Sequence, residues 1–124
     1  MLGDAGRLIV QTILHTTNSW ILVPVHVSDY GAIDLVLDTG SPLSAISAQF
    51  FARLTRSGSL DQIAPNRFRL KALSIQGQRI ADLTVRVSPR VTAVGADGVL
   101  GLDFLTRFRE IHFDVPSLVL TLTP

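Results

Sequence analysis

The sequence has 124 residues and contains no cysteine, one methionine, one tryptophan and one tyrosine. The absence of cysteine excludes disulfides, thiol nucleophiles and thiolate metal sites. Charged residues make up only 17% of the chain, and the net charge of +1 creates no strong field for nucleic acid or an acidic membrane. No apolar run approaches the roughly 20 residues that a membrane-spanning helix needs. We therefore expect neither a nucleic-acid partner nor a membrane segment in this chain.

Other classes of site are also missing from the sequence. His15, His26 and His112 are far apart and lack the spacing of metal ligands. There is no glycine-rich phosphate loop, no zinc-protease motif and no serine nucleophile elbow. We therefore predict no metal and no cofactor.

The length and the first residues of the chain limit its number of domains and its type of N-terminus. The length fits a single domain spanning 1–124. The first residues lack the layout of a signal peptide, and Met1 to Gly6 resembles the edge of an excised domain, so the compartment and the parent protein stay open. The 47% of hydrophobic residues exceeds what a small monomer easily buries. Part of that apolar surface is expected to face a partner subunit.

Short alternating or β-branched runs predict that most of the chain forms strands. The predicted strands are Arg7–Leu14, Ile21–Val27, Ala32–Leu37, Phe68–Ile75, Ile80–Val87, Ile111–Val115 and Leu118–Leu122. A polar turn is predicted at His15–Asn18. The pattern indicates a mainly β domain, closed or sandwich-like.

Two short helices are predicted between the strands. The first has Ser47 as its N-cap and ends at Gly58, with Phe50, Phe51 and Leu54 along one face. The second is predicted to begin with Asp103 as its N-cap and to run as far as Phe108.

The segment most informative about function is an apolar strand that is followed directly by an acidic residue. Leu35–Leu37 is followed by Asp38, Thr39, Gly40 and Ser41. A carboxylate there is costly unless it faces water or hydrogen-bond donors. Gly40 permits a tight turn, and Thr39 can donate or accept a hydrogen bond beneath the acid. The tripeptide alone also fits an ordinary strand-to-turn exit, so its interpretation depends on the rest of the chain.

A second segment, Gly98–Leu105, places two apolar residues before a glycine and a short helix. This order, after the Asp-Thr-Gly loop and with strands between, resembles the retropepsin-like aspartic proteases, the single-domain relatives of retroviral proteases and pepsin. The resemblance extends from Ile21 to Leu122. It implies an all-β, barrel-like half of an aspartic endopeptidase that acts on peptides or proteins.

The resemblance assigns a role to each residue of the two motifs. Asp38 matches the catalytic aspartate, and Thr39 matches the threonine that hydrogen-bonds across the two-fold axis to its mate. Gly40 matches the glycine whose backbone helps to fix the acid and bind substrate, and Ser41 is a residue that often follows. The apolar strand that supports this loop is matched by Val99, Leu100 and Gly101.

The chemistry of this family explains why one triplet per chain implies a homodimer. Two carboxylates close together cannot both ionise, so they share one proton. One removes a proton from water while the other protonates the scissile carbonyl. A C2 dimer places Asp38 opposite its own copy. The terminal strands Arg7–Leu14 and Leu118–Leu122 are expected to interleave in the interface.

The resemblance is weakest at the flap, the hairpin with which these enzymes cover their substrate. The interval from Ser57 to Asn66 is rich in turn-forming residues and shows little strand pattern, so a short, rebuilt or missing flap is predicted. The residues of this candidate mobile lid are Ser57, Gly58, Ser59, Leu60 and Ile63. The interval also fits a plain helix-to-strand connector. A weak lid leaves a second hypothesis open, an interaction or dimerisation module with little or no proteolysis.

Overall fold

The structure is a computed structural model that describes residues 10–13, 15–17, 20–28, 30–71, 73–80, 82–92 and 96–124. Part of the first predicted strand, 7–9 and 14, lies outside the described residues. The described strands are β1 (Val10–Ile13), β2 (His15–Thr17), β3 (Trp20–Val27), β4 (Gly31–Leu37), β5 (Ala45–Ile46), β6 (Leu60–Ala64), β7 (Arg67–Leu70), β8 (Leu73–Ile75), β9 (Gln78–Arg79), β10 (Leu83–Val87), β11 (Gly98–Leu100), β12 (Glu110–Asp114) and β13 (Val119–Thr123). The described helices are α1 (Ala48–Ser57), α2 (Pro89–Thr92) and α3 (Leu102–Leu105).

Most of the described strands belong to one long sheet. Its order is β6-β7-β10-β5-β11-β4-β3-β8-β9, with β2 paired to β3, and a separate sheet has the order β1-β13-β12. The long sheet curls into a half-barrel around a continuous apolar core. Side chains at the centre of that core are almost inaccessible to water, among them Val23, Leu35, Phe50, Leu54, Leu70 and Leu100. The predicted mainly β fold is confirmed.

β11 is inserted between β4 and β5, and this insertion positions the candidate site. β11 is parallel to β4, with Leu100 opposite Leu37, and antiparallel to β5. A Cβ on Gly98 would lie 2.5 Å from the carbonyl oxygen of Ala45, so glycine is what allows the strands to approach. Because β4 and β11 are parallel, the residues that follow them, Asp38 and Gly101, emerge side by side at one edge.

α1 has the ends that its sequence predicts. The Ser47 hydroxyl accepts a hydrogen bond from the Phe50 amide at 3.0 Å, and Gly58 adopts a left-handed φ of 74° at the C-cap. Phe50 and Leu54 are fully buried in the core, and the Phe50 ring packs edge-on against Tyr30 at 5.3 Å. Local cap chemistry and one apolar face were sufficient to define this helix.

Several local predictions are wrong. The predicted turn at His15–Asn18 contains β2, whose three residues pair with the start of β3. The predicted strand Phe68–Ile75 is divided, because β7 pairs with β6 and β10 whereas β8 pairs with β3 and β9. The strand predicted from Ile80 begins at Leu83, and α2 was not predicted.

The second predicted helix has a different start and end. α3 has Gly101 as its N-cap, without a side-chain capping bond, and ends at Leu105 rather than Phe108. Asp103 lies in the first turn and is not the cap. Its carboxylate is engaged elsewhere, by Ser44, as described below.

The terminal strands pair with each other within the chain. β13 is hydrogen-bonded to β1 along one edge and to β12 along the other. In the single chain neither edge of β13 is free, so interleaving of Leu118–Leu122 with a partner's strands would require these pairings to be exchanged between chains, and it stays a prediction. In the part of the chain that the structure describes, β1 and β12 each pair along one edge only.

Candidate active site

Asp38 lies immediately after β4 and is oriented by backbone hydrogen bonds. Its amide donates to the carbonyl oxygen of Leu100 at 3.1 Å, which ties the loop to β11. The Gly40 amide donates to Asp38 Oδ1 at 2.9 Å, and the Ser41 amide donates to the Asp38 carbonyl at 3.2 Å. The side chain is only partly buried. The loop therefore holds a solvent-accessible carboxylate in a defined direction.

The Asp38 carboxylate borders a groove of about 370 Å³. The groove is lined by Trp20, Val36, Asp38, Gly40, Ser41, Pro42, Leu43, Ala45, Arg86, Ser88, Val91 and Val99. Among these described residues, Asp38 is the only carboxylate. Chemistry that needs two carboxylates must therefore obtain the second from outside this set.

Thr39 lies beside a different surface, which is largely apolar. It forms a shallow depression of about 440 Å³, which is lined by Leu37, Thr39, Leu102, Leu105, Thr106, Phe108, Arg109 and Ile111. Leu102 and Ile111 are 40% and 37% exposed, which is unusual for large apolar side chains of a small domain. We call it the Thr39 surface.

A buried network holds the loop that follows Asp38. The Ser44 hydroxyl donates to Asp103 Oδ1 at 2.7 Å and accepts from the Gly101 amide at 3.0 Å. The Ser44 amide donates to both carboxylate oxygens of Asp103, each at 3.0 Å. Ser44 is 1% exposed. Because buried donors are costly when unpaired, these bonds fix the loop and the start of α3 to each other.

The residues of the second motif lie directly behind the loop. Leu100 is 1% exposed and accepts from the Asp38 amide, whereas Val99 lines the groove. A Cβ on Gly101 would lie 2.6 Å from the Ser41 carbonyl oxygen and 2.8 Å from the Leu43 carbonyl carbon. Position 101 therefore requires glycine, because the atoms that a Cβ would meet belong to the backbone and cannot move aside as a flexible side chain could.

The segment predicted to have little strand pattern is a β-hairpin. β6 and β7 pair antiparallel, with Pro65 and Asn66 in the turn. The low-strand interpretation of Ser57–Asn66 is wrong, because β6 is an edge strand whose exposed polar residues are compatible with pairing on one side. Leu60 and Ile63 lie in β6, and Ile63 is 45% exposed.

The first residues of the candidate lid belong to the body of the domain. Ser57 is the last residue of α1 and Gly58 is its C-cap. Ser59 is 3% exposed, and its hydroxyl donates to the carbonyl oxygen of Ser28 at 2.9 Å. These three residues cannot form a mobile lid, so the hairpin begins at Leu60.

The hairpin tip is hydrogen-bonded to the strand that borders the groove containing Asp38. Asn66 accepts from the Val87 amide at 3.1 Å and donates to the Val87 carbonyl at 3.4 Å. Arg86 and Ser88, the neighbours of Val87, both line that groove. The segment is thus a hairpin beside the candidate site and not a plain connector.

Two lining residues were not predicted as site residues. Trp20 fits a packing residue in the sequence, but it is 39% exposed and lines the groove. Arg86 alternates with buried Val85 along β10, so its exposure was predictable. Which groove it faces depends on the pairing of β10 with β5, which the sequence alone does not reveal.

Within the described residues, no group of three or more histidine, aspartate or glutamate side chains is placed to hold a metal ion. None of the described helices is long and apolar enough to cross a membrane.

Comparison with known proteins finds similarity in structure and not in sequence. No protein-family model and no curated protein sequence matches the chain. A retropepsin-like aspartic protease from Rickettsia conorii is similar in structure, with a TM-score of 0.65 and 16% identity over 95% of each chain. The retroviral protease-like domain of Ddi1 from Leishmania major gives a TM-score of 0.57 and 16% identity, over 89% of this chain and 95% of the other. The chain therefore has the retropepsin-like fold that its two motifs imply.

Proposed function

We propose that this chain is a retropepsin-like aspartic endopeptidase that acts as a homodimer, with Asp38 of each chain as the catalytic carboxylate. The observation that carries the proposal is the placement of a single Asp-Thr-Gly carboxylate on an open groove, oriented by the Gly40 amide and by β11. The fold shared with a retropepsin-like protease supports the same activity.

The proposed chemistry follows from two facing carboxylates. The pair shares one proton, because two like charges at close range cannot both ionise. The ionised Asp38 removes a proton from water, whose oxygen attacks the scissile carbonyl carbon, and the protonated copy donates its proton to the carbonyl oxygen. Collapse of the tetrahedral intermediate transfers a proton to the leaving nitrogen and breaks the peptide bond.

The Thr39 surface supports the proposed dimer. It is apolar, it carries the exposed side chains of Leu102 and Ile111, and it adjoins the loop that must meet its copy. An isologous interface through this surface would cover those side chains and bring the two Asp38 loops together. Thr39 is exposed in the single chain and is thereby available to its mate.

The hairpin of β6 and β7 is the proposed lid. Its tip is hydrogen-bonded to Val87, whose neighbours Arg86 and Ser88 line the groove, and its apolar Ile63 is exposed. Closure of such a hairpin over a peptide would exclude water and contribute backbone hydrogen bonds from an edge strand.

A second candidate function is a dimerisation or interaction module with little proteolysis. The exposed apolar side chains of the Thr39 surface favour it as much as they favour the enzyme, because both need a dimer. The two differ only in whether Asp38 performs chemistry.

Incubation of the purified chain with a diverse peptide library tests the proposal. Cleavage should disappear in Asp38→Asn and in Asp38→Ala while the circular dichroism spectrum is retained, and it should persist in Asp114→Asn, which alters an exposed carboxylate on β12. Sedimentation should show a dimer. Cleavage that survives both Asp38 variants, or a dimer that cleaves nothing, would favour a different site or the interaction module.

The pH dependence provides a second test. Activity should decline as pH rises, because the carboxylate pair loses the shared proton that its acid member donates. Cleavage rates of one substrate across acidic to neutral pH measure this, and rates that rise throughout that range contradict the shared-proton mechanism.

A further inference from the structure

We infer that a basic subsite beside the Asp38 groove selects substrates with an acidic side chain. This inference rests on the proposed function, since it concerns the peptides that the groove accepts. A second cavity, of about 300 Å³, is lined by Leu43, Ser44, Ile63, Arg67, Thr84, Val85, Arg86, Asp103 and Arg107. It shares Leu43 and Arg86 with the Asp38 groove. An extended peptide that crosses Asp38 can therefore place a side chain in it.

Three arginines converge on this cavity from separate elements. Arg67 lies on β7, Arg86 lies on β10, and Arg107 follows α3. Arg107 is held in place, because its guanidinium donates to the Asp82 carbonyl at 2.9 Å and lies over the Phe104 ring. A guanidinium has five donors, so this one retains donors for a ligand.

The pairing of β7 with β10 brings two of the arginines together. Thr84 lies opposite Arg69 and Val85 opposite Phe68. The ladder ends there, and continuing its antiparallel register by one residue would set Arg86 opposite Arg67; residues directly opposite have Cβ atoms roughly 5 Å apart. Like charges directly opposite on neighbouring strands are destabilising, so a bound anion would relieve the repulsion between these two exposed arginines.

Among the described residues, no carboxylate forms an ion pair with either arginine of that pair, Arg67 or Arg86. Asp103 is the acidic residue of the lining, but both of its oxygens accept from Ser44. By contrast, Arg69 on the same strand lies opposite Asp61 of β6. The cavity therefore has an unmatched positive charge that a carboxylate can balance with paired, charge-assisted hydrogen bonds.

The lining also indicates what kind of acidic ligand fits. Ile63 of the hairpin, Leu43 and Val85 supply apolar walls, which suit the methylene stem of a glutamate between the arginines and the hairpin. The ligand class is therefore a peptide with a glutamate or aspartate a few residues from the scissile bond. In a homodimer each chain would contribute one such subsite, so the preference should occur on both sides of the cut.

The test is a cleavage-site profile from a diverse peptide library. The wild type should enrich glutamate or aspartate at one position on each side of the cut. Arg86→Gln and Arg67→Gln should lower that enrichment about tenfold, an effect that added salt reproduces. The double variant Arg67→Glu/Arg86→Glu should enrich lysine or arginine instead. Arg56→Gln, which alters an exposed arginine of α1 outside the cavity, should leave the profile unchanged.

A binding measurement separates this inference from the proposed activity. Fluorescent peptides that carry glutamate, or glutamine at the same position, are titrated into the Asp38→Asn protein and into Asp38→Asn/Arg86→Gln. Tighter binding of the glutamate peptide, lost with Arg86, supports the subsite even if the wild type cleaves nothing. Equal binding of the two peptides, or a cleavage profile without acidic enrichment, overturns the subsite even if Asp38-dependent cleavage is found.

Discussion

The loop that carries Asp38 and the hairpin formed by β6 and β7 border the same part of the molecule but are held in place in different ways. The loop is fixed by buried groups, since Ser44 is 1% exposed and bonds to both Asp103 and Gly101. In the hairpin, β7 is paired with β10 and its Leu70 is buried, so only β6 and the tip are exposed. The tip is bonded to Val87 through the exposed amide of Asn66.

From this difference we predict that Asp38 stays fixed while the hairpin tip can open. Breaking the loop requires leaving buried donors without partners, which costs a large share of the stability of a small domain. Releasing the hairpin tip exposes groups that water can satisfy immediately, so local opening there needs little free energy. Under the proposed function, a rigid loop would keep Asp38 in place while a releasable hairpin tip admits the peptide and then excludes water.

The largest effect is expected from Gly101→Ala. The new Cβ would collide with backbone atoms of Ser41 and Leu43, at 2.6 and 2.8 Å, and neither can move without disrupting the loop. We expect a loss of more than about 3 kcal/mol in the free energy of unfolding, measured by urea denaturation.

Gly40→Ala is the matched control for Gly101→Ala. Its Cβ would meet only the Asp38 Oδ1 atom, at 3.2 Å, and that atom can shift by a few tenths of an ångström. Stability should therefore change by less than about 1 kcal/mol, while peptide cleavage falls because the carboxylate is displaced. Equal destabilisation by the two variants would contradict the view that the loop is packed more tightly behind Asp38 than in front of it.

The next largest effect is expected from Asp103→Ala. The Ser44 amide and hydroxyl would lose their acceptor in a buried position, which should cost about 2–4 kcal/mol of unfolding free energy. Asp103→Asn keeps one oxygen acceptor and should cost less than half as much. If the alanine variant unfolds at the same urea concentration as the wild type, Ser44 and Asp103 do not hold the loop.

These residues also show what could be predicted from the sequence. The ends of α1 were predictable because Ser47 and Gly58 act within a few residues of themselves. Asp103 was assigned as a helix cap because its sequence neighbours favour that, but its partner Ser44 is 59 positions away. Asp97 likewise fits a turn residue, yet its carboxylate accepts from the Asp34 amide and from Arg53. Non-local hydrogen bonds of this kind leave no periodic signal.

The strands β4 and β11 were predicted from the sequence and β6 was not, again because only local signals can be read from a sequence. β4 is followed by Asp38 and β11 by Gly101, and the order of the two motifs predicts both the fold and Asp38 as the candidate catalytic residue. β6 was missed because an edge strand needs pairing on one side only, so its sequence need not alternate. The division of Phe68–Ile75 into β7 and β8 depends on which strands lie alongside, which is a property of the whole curled sheet.

The smallest effect on stability, and the most specific one for the hairpin, is expected from Asn66. Its side chain bridges the hairpin tip to Val87, and its φ of 50° favours asparagine or glycine. Asn66→Gly removes the bridge without adding backbone strain, so unfolding free energy should change by less than about 1 kcal/mol. Amide exchange of β6 and β7 should nevertheless accelerate, and KM for peptides should rise about threefold with kcat nearly unchanged, because a released tip clamps substrate less well.

Asn66→Asp is the matched control, because it retains an oxygen that accepts from the Val87 amide, while it replaces the donor to the Val87 carbonyl by a second, negatively charged oxygen. It should give intermediate exchange rates and a smaller rise in KM. Faster exchange confined to the hairpin supports a lid that opens independently of the Asp38 loop. Exchange that accelerates equally in β6, β7, β4 and β11 would mean that the Asp38 loop and the hairpin open together, and the contrast between a rigid loop and a releasable hairpin tip would not hold.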